Sequence, residues 1–221
     1  LQPIGLDEVL MVINAATPKA VIINKKTGEI TYQHDIPYEP NSDIHPMFRR
    51  IRMTGEGTFL CAYLVKGKVV EYDRDFNEIW RYETAKPWSA QRLINGNTLV
   101  VDEDECVAKE VDKEGNIVWQ FASTDVPAEL GPTGNFERPG GAPGSDKNTE
   151  PIGWQTCTRL ANGNTVLCSQ GSFGLAPQFI EVDPKGEIVW YLKNWRDLGP
   201  ATQIQVLSDP GYPENPADVQ R

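Results

Sequence analysis

The stretch Arg92-Leu-Ile-Asn-Gly-Asn-Thr-Leu-Val-Val101 returns almost unchanged as Arg159-Leu-Ala-Asn-Gly-Asn-Thr-Val-Leu-Cys168. In both copies a run of strand-forming residues follows an Asn-Gly pair, which supplies the positive φ angles of a tight hairpin turn. The segment Arg52-Met-Thr-Gly-Glu-Gly-Thr-Phe-Leu-Cys61 follows the same plan, and a weaker copy begins at Pro3. Each copy is therefore predicted to form a strand, a turn and a second strand.

A second motif follows each of these copies. It reads Lys109-Glu-Val-Asp-Lys-Glu-Gly-Asn-Ile-Val-Trp119 in one unit and Ile180-Glu-Val-Asp-Pro-Lys-Gly-Glu-Ile-Val-Trp190 in the next, and related segments run from Val70 to Trp80 and from Ile22 to Tyr32. Its Asp-x-x-Gly core is typical of a tight turn, because the Asp side chain hydrogen-bonds to the neighbouring backbone and Gly adopts the left-handed conformation. The motif predicts a second hairpin, so that each unit holds four short antiparallel strands.

Repeated units of four strands in about 40 residues predict an all-β fold, a β-propeller of four-stranded antiparallel blades. Four units are visible, and the stretch from Leu198 to Leu207 resembles the first strand of a fifth. Because this alignment places the start of the chain inside a unit, we expect part of a larger propeller; a small closed propeller is the alternative. Residues 1–221 are predicted to form a single domain.

One connection is longer than the others. Arg52 and Arg92 are 40 positions apart, whereas Arg92 and Arg159 are 67 apart, and the excess of 27 residues lies at about 124–153. This segment carries little strand or helix signal. Long loops in compact domains are usually functional or disordered, so we predict a loop insertion that offers a contact for a protein partner.

Composition excludes several classes of function. The formal net charge of −10 disfavours nucleic acid as a partner, because phosphate contacts need clustered cations. The sequence contains no stretch of about 18 apolar residues, so no membrane span is predicted. The sequence has only two histidines and no C-x-x-C pair, so no metal site is predicted. The four cysteines are expected to pack as small buried residues, and the sequence does not decide whether they form disulfide bonds. They are Cys61, Cys106, Cys157 and Cys168. The acidic run Asp102–Glu105 is expected to form a solvated hairpin tip, with weak calcium binding as the alternative.

The pairing of the Arg-Leu-x-Asn-Gly-Asn-Thr block with Asp-x-x-Gly-x-Ile-Val-Trp resembles the PQQ-like β-propeller repeats of quinoprotein dehydrogenases and arylsulfotransferase-like proteins. The resemblance covers essentially the whole chain and implies an exported bacterial protein, periplasmic or extracellular. It implies that the tryptophan motif holds blades together. Enzymes of that family bind PQQ with calcium, often beside adjacent cysteines, and arylsulfotransferases use channel histidines. No such cysteine pair or ligand set is found, so no cofactor is predicted, and PQQ with calcium is kept as an alternative.

Ligands of propellers bind over the central channel, beside the innermost strands, which should be the first strand of each unit. Tryptophans there can stack on sugar rings, and arginines can hold carboxylate or sulfate in bidentate fashion. The repeated arginines Arg52, Arg92 and Arg159 are interpreted as structural. Eight residues in or before these strands are the predicted ligand-binding set: His45, Arg49, Arg50, Trp88, Gln91, Trp154, Thr156 and Gln203. For His45, which precedes Pro46, a turn-capping role is favoured over that of a general base.

Three functions remain open from the sequence. The leading hypothesis is an exported propeller that binds a small molecule or carbohydrate at the mouth of the channel. The second is an enzyme on the same scaffold, either a PQQ-type oxidoreductase or a lyase or hydrolase that acts on polysaccharides. The third is a protein-interaction platform that uses the loop at about 124–153.

Overall fold

The computed structural model describes residues 1–13, 15, 17–39, 47–130, 153–169, 176–198, 201–204 and 206. Within them, sixteen strands form four antiparallel sheets of four strands each, and the strands of every sheet lie side by side in chain order. The predicted all-β fold of four-stranded antiparallel blades is confirmed. The first blade contains four strands, as the other three do.

The blades follow one another along the chain. The first comprises β1 (Gln2–Ile4), β2 (Glu8–Ile13), β3 (Lys19–Asn24) and β4 (Ile30–Asp35). The second comprises β5 (Arg50–Met53), β6 (Phe59–Tyr63), β7 (Lys68–Tyr72) and β8 (Glu78–Glu83). The third comprises β9 (Pro87–Arg92), β10 (Thr98–Asp102), β11 (Val107–Val111) and β12 (Ile117–Ala122). The fourth comprises β13 (Trp154–Arg159), β14 (Thr165–Ser169), β15 (Phe179–Val182) and β16 (Ile188–Leu192).

The described helical segments are short. A single 3₁₀ turn, Ser123–Asp125, follows the third blade, and α1 (Trp195–Leu198) follows the fourth. None of the described helices is long and apolar enough to cross a membrane. Most of the loop predicted at about 124–153 lies outside the described residues.

Glycine in the left-handed region closes the repeated hairpin turns. Gly96 has φ of 86° and its amide donates to the carbonyl of Leu93 at 2.9 Å; Gly163, with φ of 91°, donates to Leu160 at 3.0 Å. This is the conformation that the Asn-Gly pairs predicted. The turn of the second blade uses Gly57 in the same way, with φ of 82°.

The position of Gly57 corrects the alignment of the repeat. Sequence comparison matched Arg52 with Arg92, which sets Glu56 against Gly96. In the structure Met53 pairs with Phe59 as Arg92 pairs with Thr98, so that Met53 takes the place of the repeated arginine. The shift of one residue arises because the left-handed turn position requires a glycine, which stands at 57 rather than 56.

Ring–guanidinium pairs join consecutive blades. The guanidinium of Arg92 on β9 lies 4.9 Å from the ring centroid of Trp80 on β8, and it also forms an ion pair with Glu71 on β7. The same arrangement recurs one blade later, where Arg159 lies 5.1 Å from the ring of Trp119 and 2.9 Å from the carboxylate of Glu110 (Nη2 to Oε2). The structural interpretation of these two arginines is confirmed.

The junction of the first two blades is a variant of this contact. There the aromatic ring is that of Tyr32. The guanidinium over it belongs to Arg74 in the turn after β7, and its carbon lies 4.4 Å from the ring centroid. The Tyr32 hydroxyl donates to the carbonyl of Arg74 at 2.6 Å, just as the Trp80 indole N–H donates to the carbonyl of Lys113 in the corresponding turn at 2.9 Å. Every described junction therefore places a guanidinium of the later blade over an aromatic ring of the earlier one.

Asp102 contradicts the expectation of a solvated acidic tip. Its side chain is fully buried, and its carboxylate accepts hydrogen bonds from the Thr84 hydroxyl at 2.5 Å, the Lys86 amide at 2.8 Å and the Glu105 amide at 2.9 Å. These bonds tie the β8–β9 connection to the β10–β11 turn. The residue is structural, and no group of three or more possible metal ligands occurs among the described residues.

Candidate functional site

The first strands of the second, third and fourth blades lie next to one another. Strand β9 contacts both β5 and β13, as expected of innermost strands around a propeller axis. Five of the predicted site residues lie on these strands and Arg49 directly precedes β5; Gln203 lies beyond the fourth blade. His45 lies outside the described residues.

A β-bulge occurs near the start of both β9 and β13. In β9 the register skips Trp88, between Pro87 and Ser89, so that Trp88 is the extra residue opposite β10. In β13 the register skips Gln155 in the same way. Arg49, which directly precedes β5, holds the corresponding place in the second blade. Bulges re-aim side chains and are frequent beside functional sites, so we define Arg49, Trp88 and Gln155 as the bulge cluster.

Two members of the bulge cluster are in contact. The Arg49 guanidinium carbon lies 4.5 Å from the centroid of the Trp88 ring. Such a cation–π contact contributes about 0.5–2 kcal/mol, the larger values applying to desolvated pairs. It holds one face of the indole and fixes a positive charge at the start of the inner strands.

Gln155 is the unusual member of the cluster. Its side chain is 1% exposed, yet neither the amide oxygen nor the amide nitrogen has a hydrogen-bond partner among the described residues. A buried polar group left unsatisfied destabilises a protein by roughly 1–3 kcal/mol. An amide offers two donors and an acceptor, so a bound molecule with complementary groups would remove this penalty.

Trp154, predicted as a second aromatic platform, is fully buried. It packs in the core with Phe121, the two ring centroids being 6.1 Å apart. In this conformation the indole presents no face on which a ligand ring could stack. The bulge explains the difference, because it places Gln155 rather than Trp154 at the position of Trp88.

The segment after the fourth blade connects β5 with β13. The Arg50 guanidinium donates to the side-chain oxygen of Gln203 at 2.9 Å, and the buried hydroxyl of Thr156 donates to the carbonyl of Thr202 at 3.1 Å. The structure thus brings three predicted residues, Arg50, Thr156 and Gln203, to one place. Gln91 lies apart from them in the register, paired with Leu99 and next to Arg92.

Arg50 also affects the buried thiols of β13 and β14. Burial raises the pKa of Cys157 and of Cys168 to about 12, against the opposing influence of nearby groups that include Arg50 in both cases. All four cysteines are buried and free of disulfide bonds. In a chain of net charge −10, Arg49 and Arg50 make the start of the inner strands a local site of positive charge.

Comparison with known proteins establishes the fold. No protein-family model matches the sequence, and no curated protein matches it. A solved structure of a protein of unknown function from Bacteroides caccae is similar with a TM-score of 0.68 and 19% identity, over 88% of this chain and 66% of that one. A catalytically inactive virginiamycin B lyase from Staphylococcus aureus, solved with quinupristin, is similar with a TM-score of 0.54 and 15% identity, over 87% of this chain and 54% of that one.

These similarities show the fold alone. Virginiamycin B lyase is a β-propeller, and together with the four consecutive antiparallel sheets it identifies the described blades as those of a β-propeller. This chain spans 66% and 54% of the length of the two solved structures. The finer resemblance to PQQ-like repeat proteins stays a prediction.

The predicted ligand-binding set omits Gln155, although Gln155 lies between the candidates Trp154 and Thr156 at the inner strand of the fourth unit. The signal was present, because Gln155 precedes Arg159 by four positions, as Trp88 precedes Arg92. In the second blade, Arg49 precedes Met53 by the same interval, once Met53 is recognised as the equivalent residue.

Proposed function

We propose that the protein is a binding propeller that holds a small anionic molecule, such as an acidic sugar, on the bulge cluster at the central channel. One observation carries the proposal: the buried amide of Gln155, which lacks a hydrogen-bond partner among the described residues, stands at the position equivalent to Trp88 and Arg49. Natural proteins rarely leave a buried amide unsatisfied unless water or a ligand completes it.

The cluster supports a definite ligand chemistry. Arg49 and Arg50 supply guanidinium donors that suit carboxylate or sulfate groups. Trp88, already stacked with Arg49, supplies a flat apolar surface of the kind that sugar rings use. Gln155 supplies a paired donor and acceptor for a hydroxyl or amide group.

Export and the alternative functions have weaker support. Export rests on the family resemblance alone, and so does the alternative of PQQ with calcium. The enzyme hypotheses lack a specific observation in their favour among the described residues. The protein-interaction hypothesis concerns a loop that lies largely outside them.

Binding is tested by titration calorimetry with uronic-acid oligosaccharides and sulfated sugars, with neutral oligosaccharides of the same length as matched ligands. We expect binding of an acidic series only. Arg49→Gln should weaken it at least tenfold, because a lost charged hydrogen bond is worth about 1.5–3 kcal/mol. Arg81→Gln, at an exposed arginine of β8, is the control and should leave affinity unchanged.

Gln155→Leu separates ligand binding from a structural role. The substitution keeps the approximate volume and removes the unsatisfied amide, so we expect the free protein to gain about 1–2 kcal/mol in unfolding free energy while affinity falls. A variant that is more stable but binds as well as the original would show that Gln155 serves only ordered water. Failure of every acidic ligand to bind would refute the proposed function.

A further inference from the structure

A groove lies between the outer strand of the fourth blade and the segment that follows the third blade. It is lined by residues 186–191, which include most of β16, and by Asp125, Pro127 and Leu130. Its volume is about 470 Å³, and small-molecule sites usually measure roughly 300–1,000 Å³. The groove is therefore large enough to hold a small ligand.

Two turns shape the segment after the third blade. The Asp125 carboxylate accepts a hydrogen bond from the Ala122 amide at 2.8 Å, and the Leu130 amide donates to the carbonyl of Pro127 at 2.9 Å. Val126 is buried in the core that the third and fourth blades share, and Leu130 packs against the same core. Because these contacts hold the segment without a ligand, the groove is preformed, as small-molecule sites usually are.

Tyr191 in this groove departs from the repeat. It follows Trp190 on β16 and is 47% exposed. The earlier blades have exposed polar residues at this position, which are Gln33, Arg81 and Gln120. Tyr191 pairs with Ile180, a buried residue of the core shared with the third blade, so it lies on the side of β16 that faces that blade. An aromatic ring thus takes the place of a polar side chain at the groove.

Glu187 is a second departure from the neighbouring blades. In the second and third blades this turn position is an asparagine, and Asn77 and Asn116 donate to their turn aspartates at 3.0 and 2.9 Å. An ionised glutamate has no donor, and only the backbone amide of Glu187 bonds to the turn aspartate, Asp183, at 2.9 Å. Neither Glu187 nor Asp125 forms an ion pair with another described residue, so two carboxylates at the groove are left for a cation.

We propose that the groove binds a small organic cation with an apolar body, an amine or a quaternary ammonium. Asp125 and Glu187 attract the charge, and Tyr191 and Leu130 supply an aromatic and an apolar surface for the body. Carboxylates and aromatic rings are complementary to such cations, and the net charge of −10 favours their approach. The inference goes beyond the proposed function, because no residue of the bulge cluster takes part and the ligand has the opposite charge.

The probe for the test is benzyltrimethylammonium, and the amide chemical shifts of Ile188 and Tyr191 report its binding in an NMR titration. Phenylacetate and N-benzylacetamide are the anionic and neutral ligands of similar size. We expect saturable shifts with the cation. The other two ligands should bind about tenfold more weakly, because they lose both the attraction to the carboxylates and the cation–π contact.

The repeat itself supplies variants that suit the fold. Tyr191→Gln introduces the residue of the third blade, and Glu187→Asn introduces that of the second and third blades. Each should weaken cation binding about two- to fivefold. Glu29→Asn makes the same change of charge at the corresponding turn of the first blade, where the Glu29 carbonyl accepts from Asn24 as the Glu187 carbonyl accepts from Asp183. This matched control should leave the affinity unchanged.

Four results would overturn the proposal. They are the absence of saturable shifts with the cation, equal binding of phenylacetate or N-benzylacetamide, unchanged affinity in both groove variants, and β16 shifts that depend on protein concentration without any probe. The last result would make a second copy of the chain the occupant. Arg49→Gln, in the bulge cluster, should leave cation binding unchanged, so this proposal and the proposed function fail independently.

Discussion

Removing Arg159 should destabilise the protein far more than removing an equally well-paired arginine at the surface. Arg159 joins the third and fourth blades through Glu110, at 2.9 Å, and through the ring of Trp119, at 5.1 Å. The side chain of Glu110 is 7% exposed and that of Arg159 is 20% exposed. Arg159→Met keeps the aliphatic stem but leaves the Glu110 carboxylate buried without its cation.

The magnitude is the sum of the two contacts. Removing one partner of a buried ion pair costs about 3–5 kcal/mol, and loss of a partly desolvated cation–π contact about 1 kcal/mol. After a reduction for the partial exposure of Arg159, we expect Arg159→Met to lower the unfolding free energy by about 2–3 kcal/mol. In a double-mutant cycle with Glu110→Gln, the coupling energy should be about 1–2 kcal/mol.

The assay is equilibrium unfolding in urea, with Arg81 and Glu78 as the matched control pair. Those two residues form a bidentate pair on β8, at 2.8 and 2.7 Å, but Arg81 is 43% exposed. Exposed pairs contribute about 0.2–1 kcal/mol, so the control cycle should give a coupling near 0.5 kcal/mol or less. Equal coupling energies in the two cycles would refute the idea that burial at the blade junction makes the Arg159 pair important.

The same pair has a predicted pH dependence. Burial alone would raise the pKa of Glu110, but hydrogen bonds from Asn97 and Asn95 and the charge of Arg159 outweigh it and hold the pKa below its usual value. A carboxyl group with a lowered folded-state pKa stabilises the protein above its unfolded pKa, about 4.3, and this contribution is lost as the pH falls through the folded value. The stability difference between the original protein and Glu110→Gln should therefore shrink below about pH 4.

Three further predictions concern the scaffold. Phe76→Gly should relieve about 1 kcal/mol of left-handed strain, since Phe76 has φ of 56°, but lose about 3 kcal/mol of packing; a thermal melt that shows no net loss would contradict this balance. Cys157 and Cys168, with pKa values raised by burial to about 12, should resist a thiol reagent at pH 8 and react only in denaturant; fast labelling of the native protein would contradict their burial. Asp102→Asn should lower the unfolding free energy by about 1–3 kcal/mol, because an amide cannot accept bonds on both of its terminal atoms; an unchanged denaturation midpoint would show that the buried carboxylate contributes nothing.

Turn chemistry explains why so much of the fold was accessible from the sequence. The glycine of each Asn-Gly pair takes a positive φ, and each Asp-x-x-Gly turn bonds its own backbone, within four or five residues of chain. Phe76 shows the limit of this rule, because it stands in the left-handed position that Gly115 occupies in the next blade. Stacking on Phe59 of β6 and His34 of β4, with ring centroids 5.1 and 4.9 Å away, holds it there, and those contacts come from other strands.

The candidate site was accessible only in part. Arg49, Trp88, Arg50, Thr156 and Gln203 were predicted from their positions before or within the inner strands, and the structure adds the contacts among them. Whether they bind a ligand stays a prediction. The place of Gln155 in the bulge cluster results from a bulge in the β13–β14 register, and no single residue type predicts such a bulge.

The sequence by itself determined the repeat, the four-strand unit and the positions of the turns, because hairpin chemistry acts between residues that are neighbours in the chain. Only the tertiary structure decided which side chains meet between blades. Glu71 pairs with Arg92 across 21 positions and Glu110 with Arg159 across 49, and the register of β13 places Gln155 rather than Trp154 at the position equivalent to Trp88. Sheet register alternates the side chains between two faces, so one inserted residue reverses which of them is buried in the core and which is set at the bulge.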